Sequence, residues 1–456
     1  MNNQLHAISR PLYQLLTLKL IPYEGIFGKN VAWFSTDDRR LLVVIVLDFT
    51  DKDYNAVILG RDTQKWYRCI NVKVSYPNIE SAVEAAQEEI NTIPLEQSVF
   101  PQGDEGKVFD IFSPTVPENK QHRNFKILQR EGHSPAREVI QELCFCFKDK
   151  DGNFREQFQT SGFNARLFEL YMFAFLHEEH FFVDESSSYP DFICSKGAKN
   201  YAIECTTVNK GENDISAFPD DPKQQANLFH NYFPIKFGSA LYSKLNHKTE
   251  GKSYWELPQV KGKPFIIAIE DFHLENAMCY SFPGLECYLY GYKYAPEQKA
   301  DGTIIPNPKK ILAFVWGNKT IDQCFFDLPE SENVSAVLLV NAGTIAKFNR
   351  MGAIAGLGNE HLRITRNGIY ANPDPKSMMP IPFSIEINQD TQESWAEGAR
   401  MYHNPHAKIP VDPNDFTGIL HCYMDENNCL SYLYPNQFPI TSFTNVFIVR
   451  GNEEKQ

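Results

Sequence analysis

The sequence predicts an α/β (α+β) protein in which a mixed central sheet is flanked by helices and a small N-terminal α+β domain comes first. Ile-, Val- and Leu-rich runs alternate with helical patterns after about residue 130, as in sheets buried on both faces. Four β-branched or aromatic runs separated by polar turns precede residue 77. The chain has 456 residues, of which 43% are hydrophobic and 22% charged, so a disordered or collagen-like chain is excluded.

The N-terminal module is predicted to span residues 1–118. Its strands are expected at 31–35, 41–47, 56–59 and 66–74, and one helix follows at 78–90, where Asn78 can cap the first turn. A Gly-, Pro- and Asp-rich stretch at 101–120 predicts the boundary. Residues 119–456 then form a larger domain, with its core at about 155–345 and a C-terminal extension.

The larger domain is predicted to alternate helices and strands. Helices are expected at 135–147, 164–179 and 234–247, and strands at 181–184, 191–195, 201–208, 264–269, 311–315 and 335–340. The segment 291–308 has the composition of an inserted loop. Residues beyond about 343 are expected to complete the periphery of the sheet.

Charge and cysteine usage narrow the functional class. The net charge of −13 argues against a general nucleic-acid coating protein, but residues 222–269 carry seven lysines and two glutamates, which predicts a local basic surface. The longest apolar runs fall far short of the roughly 20 residues that span a bilayer, so we expect no membrane segment. Scattered cysteines without a CxxC pair, and a first segment without a secretion signal, favour a cytoplasmic protein.

Three acidic residues stand in or next to apolar segments, where burying an unpaired carboxylate costs free energy. Glu169 is the one charge in the apolar segment 167–176, Asp191 begins a strand after Pro190, and Glu204 follows the apolar residues 201–203. Two strands joined by the turn 196–200 would place Asp191 and Glu204 side by side, since neighbouring strands lie about 4.8 Å apart. Such carboxylates can share Mg²⁺ or Mn²⁺, which suits hydrolysis of a phosphodiester. The sequence therefore predicts a metal site made of Glu169, Asp191 and Glu204.

This pattern resembles the PD-(D/E)xK nuclease superfamily over about residues 163–271. Pro190-Asp191, then twelve residues, then Glu204-Cys205-Thr206 follow a helix that bears Glu169. The resemblance implies a restriction-endonuclease-like core, with Glu169 on the first core helix and Asp191 and Glu204 as metal ligands on central strands. It also implies a metal-dependent DNA endonuclease, a hydrolase, with a role in anti-phage (antiviral) defence.

The chain departs from the family at the motif lysine. That lysine belongs two residues after Glu204, where this chain has Thr206, which supplies a hydrogen bond but no charge. Some members carry the lysine on the second core helix, where Lys236 and Lys244 lie near one face. We favour Lys244, because it lies inside the regular helix, with Lys210 as a further candidate.

Alternatives stay open for each acid and for the whole chain. Glu169 can pair with Arg166 at helical spacing, Asp191 can be a turn residue after proline, and Glu204 can be a charge at a strand end. Read that way, the protein is a catalytically inactive nuclease-fold module that binds nucleic acid or protein. As partners we expect nucleic acid, with DNA favoured and RNA open, and either a second copy of the chain or a defence-system protein.

Weaker signals are interpreted as structural. The glycine-rich segment 348–358 lacks the order of a nucleotide-binding loop. Lys347, just before it, and Arg350, within it, are expected to be surface charges, with contact to a phosphate backbone as the alternative. His403 and His406 are weak candidates for metal ligands in a loop. Residues 178–180 are expected to form an exposed polar helix end.

Overall fold

The computed structural model describes residues 3–103, 106–211, 214–298, 304–374, 377 and 379–449. Within these residues the chain forms helices and strands in mixed order. The helices are α1 Arg10–Leu16, α2 Ile79–Asn91, α3 Arg123–Leu128, α4 Ser134–Cys146, α5 Phe154–Gln159, α6 Phe163–Glu178, α7 Pro222–Asn227, α8 Phe233–Leu245, α9 Phe282–Tyr290 and α10 Ile345–Ile354.

The strands divide between an N-terminal antiparallel sheet, a central mixed sheet, a C-terminal antiparallel sheet and two hairpins. They are β1 His6–Ala7, β2 Gly28–Ser35, β3 Leu41–Asp48, β4 Tyr54–Arg61, β5 Tyr67–Tyr76, β6 Phe182–Asp184, β7 Phe192–Lys196, β8 Lys199–Asn209, β9 Phe265–Phe272, β10 Tyr292–Gln298, β11 Ile304–Lys310, β12 Phe314–Trp316, β13 Lys319–Ile321, β14 Ala336–Val340, β15 Leu362–Tyr370, β16 Ile381–Ile387, β17 Arg400–His403, β18 Leu420–Met424, β19 Leu430–Leu433 and β20 Pro439–Ile448.

The central sheet has the strand order β19-β18-β17-β14-β9-β8-β7-β6. Strands β8, β9 and β14 run parallel in its middle, and β6, β7 and β8 form an antiparallel meander at one side. β14 and residues 265–269 of β9 are continuous apolar runs, as expected for parallel strands buried on both faces. The predicted mixed sheet flanked by helices is therefore present.

The two faces of the central sheet are covered by different helices, because alternate residues of a strand point to opposite faces. Ile203 and Cys205 of β8 pack in one apolar core together with α6. Ala202 and Val208 of the same strand pack in a second core together with α8. Glu204 lies between Ala202 and Val208 in this alternation and so faces α8.

The N-terminal sheet has the order β1-β2-β3-β4-β5, and α2 packs on one face of it. Asn78 caps α2 as predicted, since its side chain accepts a 2.8 Å hydrogen bond from the Ser81 amide. Leu42 and Val44, on the other face, belong to the same apolar core as α1, α4 and α6. The sheet is thus packed directly on the rest of the chain, and the division at residue 118 stays a prediction.

Two predictions about the region after β9 are wrong. The expected loop at 291–308 is the hairpin β10–β11, whose described strands pair from Tyr292↔Lys310 to Gln298↔Ile304, while residues 299–303 of that prediction lie outside the described residues. Prolines are tolerated there because a two-stranded ribbon has only edge strands. The expected strand at 311–315 is shifted to β12, which pairs with β13 and does not join the central sheet.

The C-terminal residues complete the central sheet only in part. Strands β17, β18 and β19 extend it, whereas β15, β16 and β20 form a separate sheet of their own. Lys347 and Arg350, predicted as surface charges, are buried in α10. Both contact the buried Glu393 carboxylate, Lys347 Nζ at 2.6 Å and Arg350 Nε at 2.8 Å, and Arg366 lies 3.4 Å from the same group. A buried carboxylate brought in by a distant loop satisfies these cations.

Candidate active site

Asp191 and Glu204 lie side by side at the open end of the β7–β8 hairpin. Phe192 pairs with Ile203, so the next pair outward is Asp191 and Glu204. The Asp191 amide donates a 3.3 Å hydrogen bond to Glu204 Oε2, and the Cys205 amide donates a 2.7 Å hydrogen bond to Asp191 Oδ2. The predicted adjacency of these two carboxylates is confirmed.

Glu204 is 5% exposed and holds two partners from the α8 side of the sheet. Lys244 Nζ, from the last turn of α8, donates to Glu204 Oε1 at 2.5 Å. The Tyr254 hydroxyl donates to the same oxygen at 2.8 Å. A charged and a neutral donor thus fix the Glu204 carboxylate in one orientation.

Glu169 projects from α6 and is held by Arg166, one turn earlier. Arg166 Nη1 lies 2.9 and 2.8 Å from the two Glu169 carboxylate oxygens. Arg166 Nε in turn donates to Gln157 Oε1 at 2.8 Å. The pairing that the sequence offered as the alternative for Glu169 is therefore present.

The three carboxylates influence one another electrostatically. Burial, followed by the charges of Glu204 and Glu169, raises the pKa of Asp191 well above its usual value. Burial also raises the pKa of Glu169, against the opposing effect of Arg166, and Glu204 adds to the rise. Carboxyl groups with strongly raised pKa values are concentrated at functional sites, and structural ion pairs also produce such shifts.

Lys244 stays charged despite its position. Burial alone lowers the pKa of the Lys244 ammonium. The charge and hydrogen bond of Glu204, together with the charge of Asp191, outweigh burial, so the pKa is raised. Lys244 is therefore a fixed positive charge beside two carboxylates.

Lys150 approaches the acids from the other side. Its Nζ donates a 3.1 Å hydrogen bond to the Asp191 carbonyl oxygen. Burial lowers the pKa of Lys150, although Asp191 opposes the shift. Lys150 belongs to the polar turn at 148–153, in which the Gly152 amide donates to Asp149 Oδ1 at 2.8 Å. A cleft of about 40 Å³ between this turn and the acids is lined by Lys150, Glu169 and Asp191.

The structure separates the two candidate lysines of α8. Lys236 forms a 2.5 Å ion pair with Asp214 and donates to the Asn209 carbonyl oxygen at 3.1 Å, away from Glu204. Lys244 is the lysine that contacts Glu204. Lys210, the further candidate, is exposed just after β8.

A polar groove opens beside the Lys244–Glu204 pair. It has a volume of about 840 Å³ and lies between the end of β8, one face of α8 and the turn of the β12–β13 hairpin. We call it the β8–α8 groove; its lining includes Thr206, Asn209, Lys236, Ser243, Trp316 and Lys319. Thr206 follows Glu204 by two residues, and Ser243 directly precedes Lys244.

The donor side chains at this site bear on metal binding. Over the ranges of the chain that the structure describes, no group of three or more His, Cys, Asp or Glu side chains is arranged to hold a metal ion. Arg166 pairs with Glu169, and Asp191 accepts a backbone amide at one oxygen. Glu204 accepts from Lys244 and Tyr254 at one oxygen and from the Asp191 amide at the other. The carboxylates of Glu169, Asp191 and Glu204 are hard-oxygen donors of the kind that Mg²⁺ prefers, and binding of Mg²⁺ (or Mn²⁺) by them stays a prediction.

The weaker predicted ligands lie elsewhere. His403 is buried in β17, with Nε2 2.9 Å from His421 Nδ1, while His406 is exposed near Asp327. The prediction of an exposed helix end at 178–180 is wrong, because these residues are half-buried. The Ala396 amide donates a 3.2 Å hydrogen bond to Glu178 Oε2. Burial, opposed mainly by Lys347, raises the pKa of Glu178 to about 7.

Sequence reasoning missed Lys150 and Tyr254 as members of the site. Both belong to segments outside regular strands, and their paths depend on long-range packing. Tyr254 carried one signal, since it begins an aromatic pair within the lysine-rich stretch 222–269.

Comparison of the chain with protein-family models, with curated proteins and with solved structures finds no match. Among the residues that the structure describes, no helix has both the length and the apolar character needed to cross a bilayer.

Proposed function

We propose that this protein is a Mg²⁺-dependent nuclease that hydrolyses phosphodiester bonds, with DNA as the favoured substrate and endonucleolytic cleavage as the activity. The observation that carries the proposal is the 2.5 Å contact between Lys244 and Glu204, with Asp191 directly alongside. Two adjacent carboxylates can hold the metal ion in metal-assisted phosphodiester hydrolysis, and a lysine beside them can offset the negative charge that develops on the phosphoryl group.

The placement of these groups in the fold supports the proposal. The PD-(D/E)xK resemblance implies an acid on the first core helix, two acids on central strands and, in some members, a lysine on the second core helix. Here α6 carries Glu169, the β7–β8 hairpin carries Asp191 and Glu204, and α8 carries Lys244. In this proposal Lys244, from the helix that packs on the same face of β8, supplies the positive charge that Thr206 lacks.

Each residue has a defined task in this mechanism. When bound, Mg²⁺ would supply a more acidic water and would neutralise charge on a phosphoryl oxygen. Asp191 and Glu204 would hold the ion. Lys244 orients the attacking water and offsets negative charge as the phosphorus–oxygen bond to the leaving group breaks. Hydrolysis adds the hydroxyl of water to phosphorus and its proton to the leaving oxygen. Glu169, neutralised by Arg166, supports the Asp191 side of the site.

A second candidate is a nuclease-fold binding module without turnover. The Arg166–Glu169 pair and the threonine at position 206 favour it, because both reduce the charge available for metal chemistry. A role in anti-phage defence, a cytoplasmic location and action as a homodimer or with a defence-system partner are further proposals from the resemblance and the composition.

The experiment is cleavage of plasmid DNA, single-stranded DNA and RNA by the full chain, with Mg²⁺, with Mn²⁺ and with EDTA. We expect metal-dependent cleavage by the wild type, and its loss in Asp191→Ala and Glu204→Ala. Glu360→Ala is the matched control, since the Glu360 side chain is 88% exposed. Equal behaviour of the wild type and both active-site variants contradicts the nuclease and favours the binding module.

A further inference from the structure

The β8–α8 groove is lined by Thr206, two residues after Glu204, and by Ser243, directly before Lys244. Lys236 and Lys244 lie on one face of α8, about 12 Å apart along the helix axis at 1.5 Å per residue. Thr206 and Glu204 point to the same face of β8, about 6.6 Å apart at 3.3 Å per residue. The groove therefore continues the candidate active site along both of its walls.

The chemistry of the groove suits unpaired nucleotides. Hydroxyl and amide side chains from Thr206, Ser243 and Asn209 line the walls. Within the described lining, the charge of Lys236 is balanced by Asp214, which leaves Lys319 as an exposed cation at the outer wall. Cations along the backbone hold both duplexes and single strands, whereas stacking of a base on an aromatic side chain requires a base that is not paired in a duplex.

Trp316 supplies the stacking surface. It is part-exposed, lines the groove and packs one part of its ring system against Tyr232, with ring centroids 5.0 Å apart. The hairpin that carries Trp316 is anchored, since the Val315 amide donates a 3.0 Å hydrogen bond to Asn231 Oδ1. The ring is thus held in place before a ligand arrives, and only a base freed from a duplex stack can lie on it.

We propose that the β8–α8 groove binds an unpaired nucleic-acid strand next to the scissile phosphodiester, with one base stacked on Trp316 and Thr206 donating a hydrogen bond to the strand. This inference rests on the proposed function and narrows its substrate to single strands or unpaired ends. It also gives Thr206 a binding role at the position where the family has its lysine.

The test measures equilibrium binding by fluorescence anisotropy, using the full chain with Asp191→Asn to prevent cleavage. The probes are labelled oligothymidylate, oligouridylate and a mixed-sequence DNA duplex; the first two distinguish a deoxyribose from a ribose strand. We expect a single strand to bind more tightly than the duplex. Trp316→Ala should weaken single-strand binding about tenfold, as for the loss of one stacked base, and Thr206→Val should weaken it several-fold.

Two controls separate recognition from folding. Trp316→Phe keeps an aromatic face and should retain most of the affinity, and Lys107→Ala removes an exposed lysine from the N-terminal region without an effect. Equal or tighter binding of the duplex, or single-strand binding unchanged in Trp316→Ala and Thr206→Val, overturns the groove assignment while cleavage by the wild type still supports the nuclease. Absence of binding and of cleavage for every probe overturns both proposals.

Discussion

Lys244 Nζ lies 2.5 Å from Glu204 Oε1, which joins the last turn of α8 to the middle of β8 across 40 residues of sequence. The contact places a positive charge next to the Asp191–Glu204 pair, where the residue two positions after Glu204 is an uncharged threonine. The same helix carries a second lysine that is engaged by Asp214. The two lysines therefore form a matched pair for experiment.

Replacement of Lys244 should remove most of the nuclease activity. We expect Lys244→Ala to lower the cleavage rate by about 10²–10³, the range for loss of one preorganised charge in a catalytic site. Lys236→Ala, on the same helix, should lower the cleavage rate far less: we expect the Lys236→Ala variant to cleave at least about tenfold faster than the Lys244→Ala variant. Rates with Mg²⁺ at fixed pH measure both, and full activity of Lys244→Ala would remove Lys244 from the mechanism.

The pH profile of cleavage should reflect the raised pKa of Asp191. Burial and the charges of Glu204 and Glu169 raise this pKa, so Asp191 becomes protonated at a higher pH than an exposed aspartate as the solution is acidified. The rate should therefore fall on the acid side, with a midpoint above the usual aspartate range. Because Mg²⁺ competes with the proton, raising its concentration should move the midpoint to lower pH. A midpoint that does not respond to Mg²⁺ would argue against Asp191 as a ligand.

The exposed lysines between α8 and β9 should make nucleic-acid binding depend on salt. Lys248, Lys252 and Lys261 are exposed in the segment that also carries Tyr254. Their joint replacement by alanine should reduce the slope of log affinity against log salt by about 2 for a single strand, at roughly 0.7 for each lost phosphate contact. Anisotropy titrations at several salt concentrations measure the slope, and an unchanged slope would place the phosphates elsewhere.

The buried Glu393 should be essential for stability. Burial alone would raise the pKa of the Glu393 carboxyl group. The charges of Arg350 and Lys347 outweigh burial and hold this pKa well below its usual range. We expect Glu393→Ala to lower the free energy of unfolding by about 3–5 kcal/mol, because it leaves buried cations without a partner. Lys408→Ala, which removes the exposed pair with Glu332, should cost at most about 1 kcal/mol.

Acidic pH should reduce the difference in the free energy of unfolding between the wild type and Glu393→Ala. A carboxyl group with a depressed folded pKa stabilises the protein above the ordinary glutamate pKa and loses that contribution as pH falls through the folded value. Urea unfolding at neutral and acidic pH measures the free energies. A difference that grows in acid would contradict the charge-pair account of Glu393.

Local sequence patterns predicted the elements that carry the site. The apolar run around Glu169 predicted α6, and the turn between Asp191 and Glu204 predicted the hairpin that aligns them. The 3.6-residue period predicted α8. These patterns succeed because strand pairing across a short turn and helix formation depend on neighbouring residues.

Only the tertiary structure decided which lysine meets Glu204 and that Lys150 and Tyr254 reach this site. It also buried Lys347 and Arg350, because Glu393, more than 40 residues later, packs against α10. The burial of a charge depends on whether a distant segment brings its counter-charge, and no local pattern encodes that. The sequence by itself therefore determined the strands and helices that bear the acids, and long-range packing determined the charges that surround them.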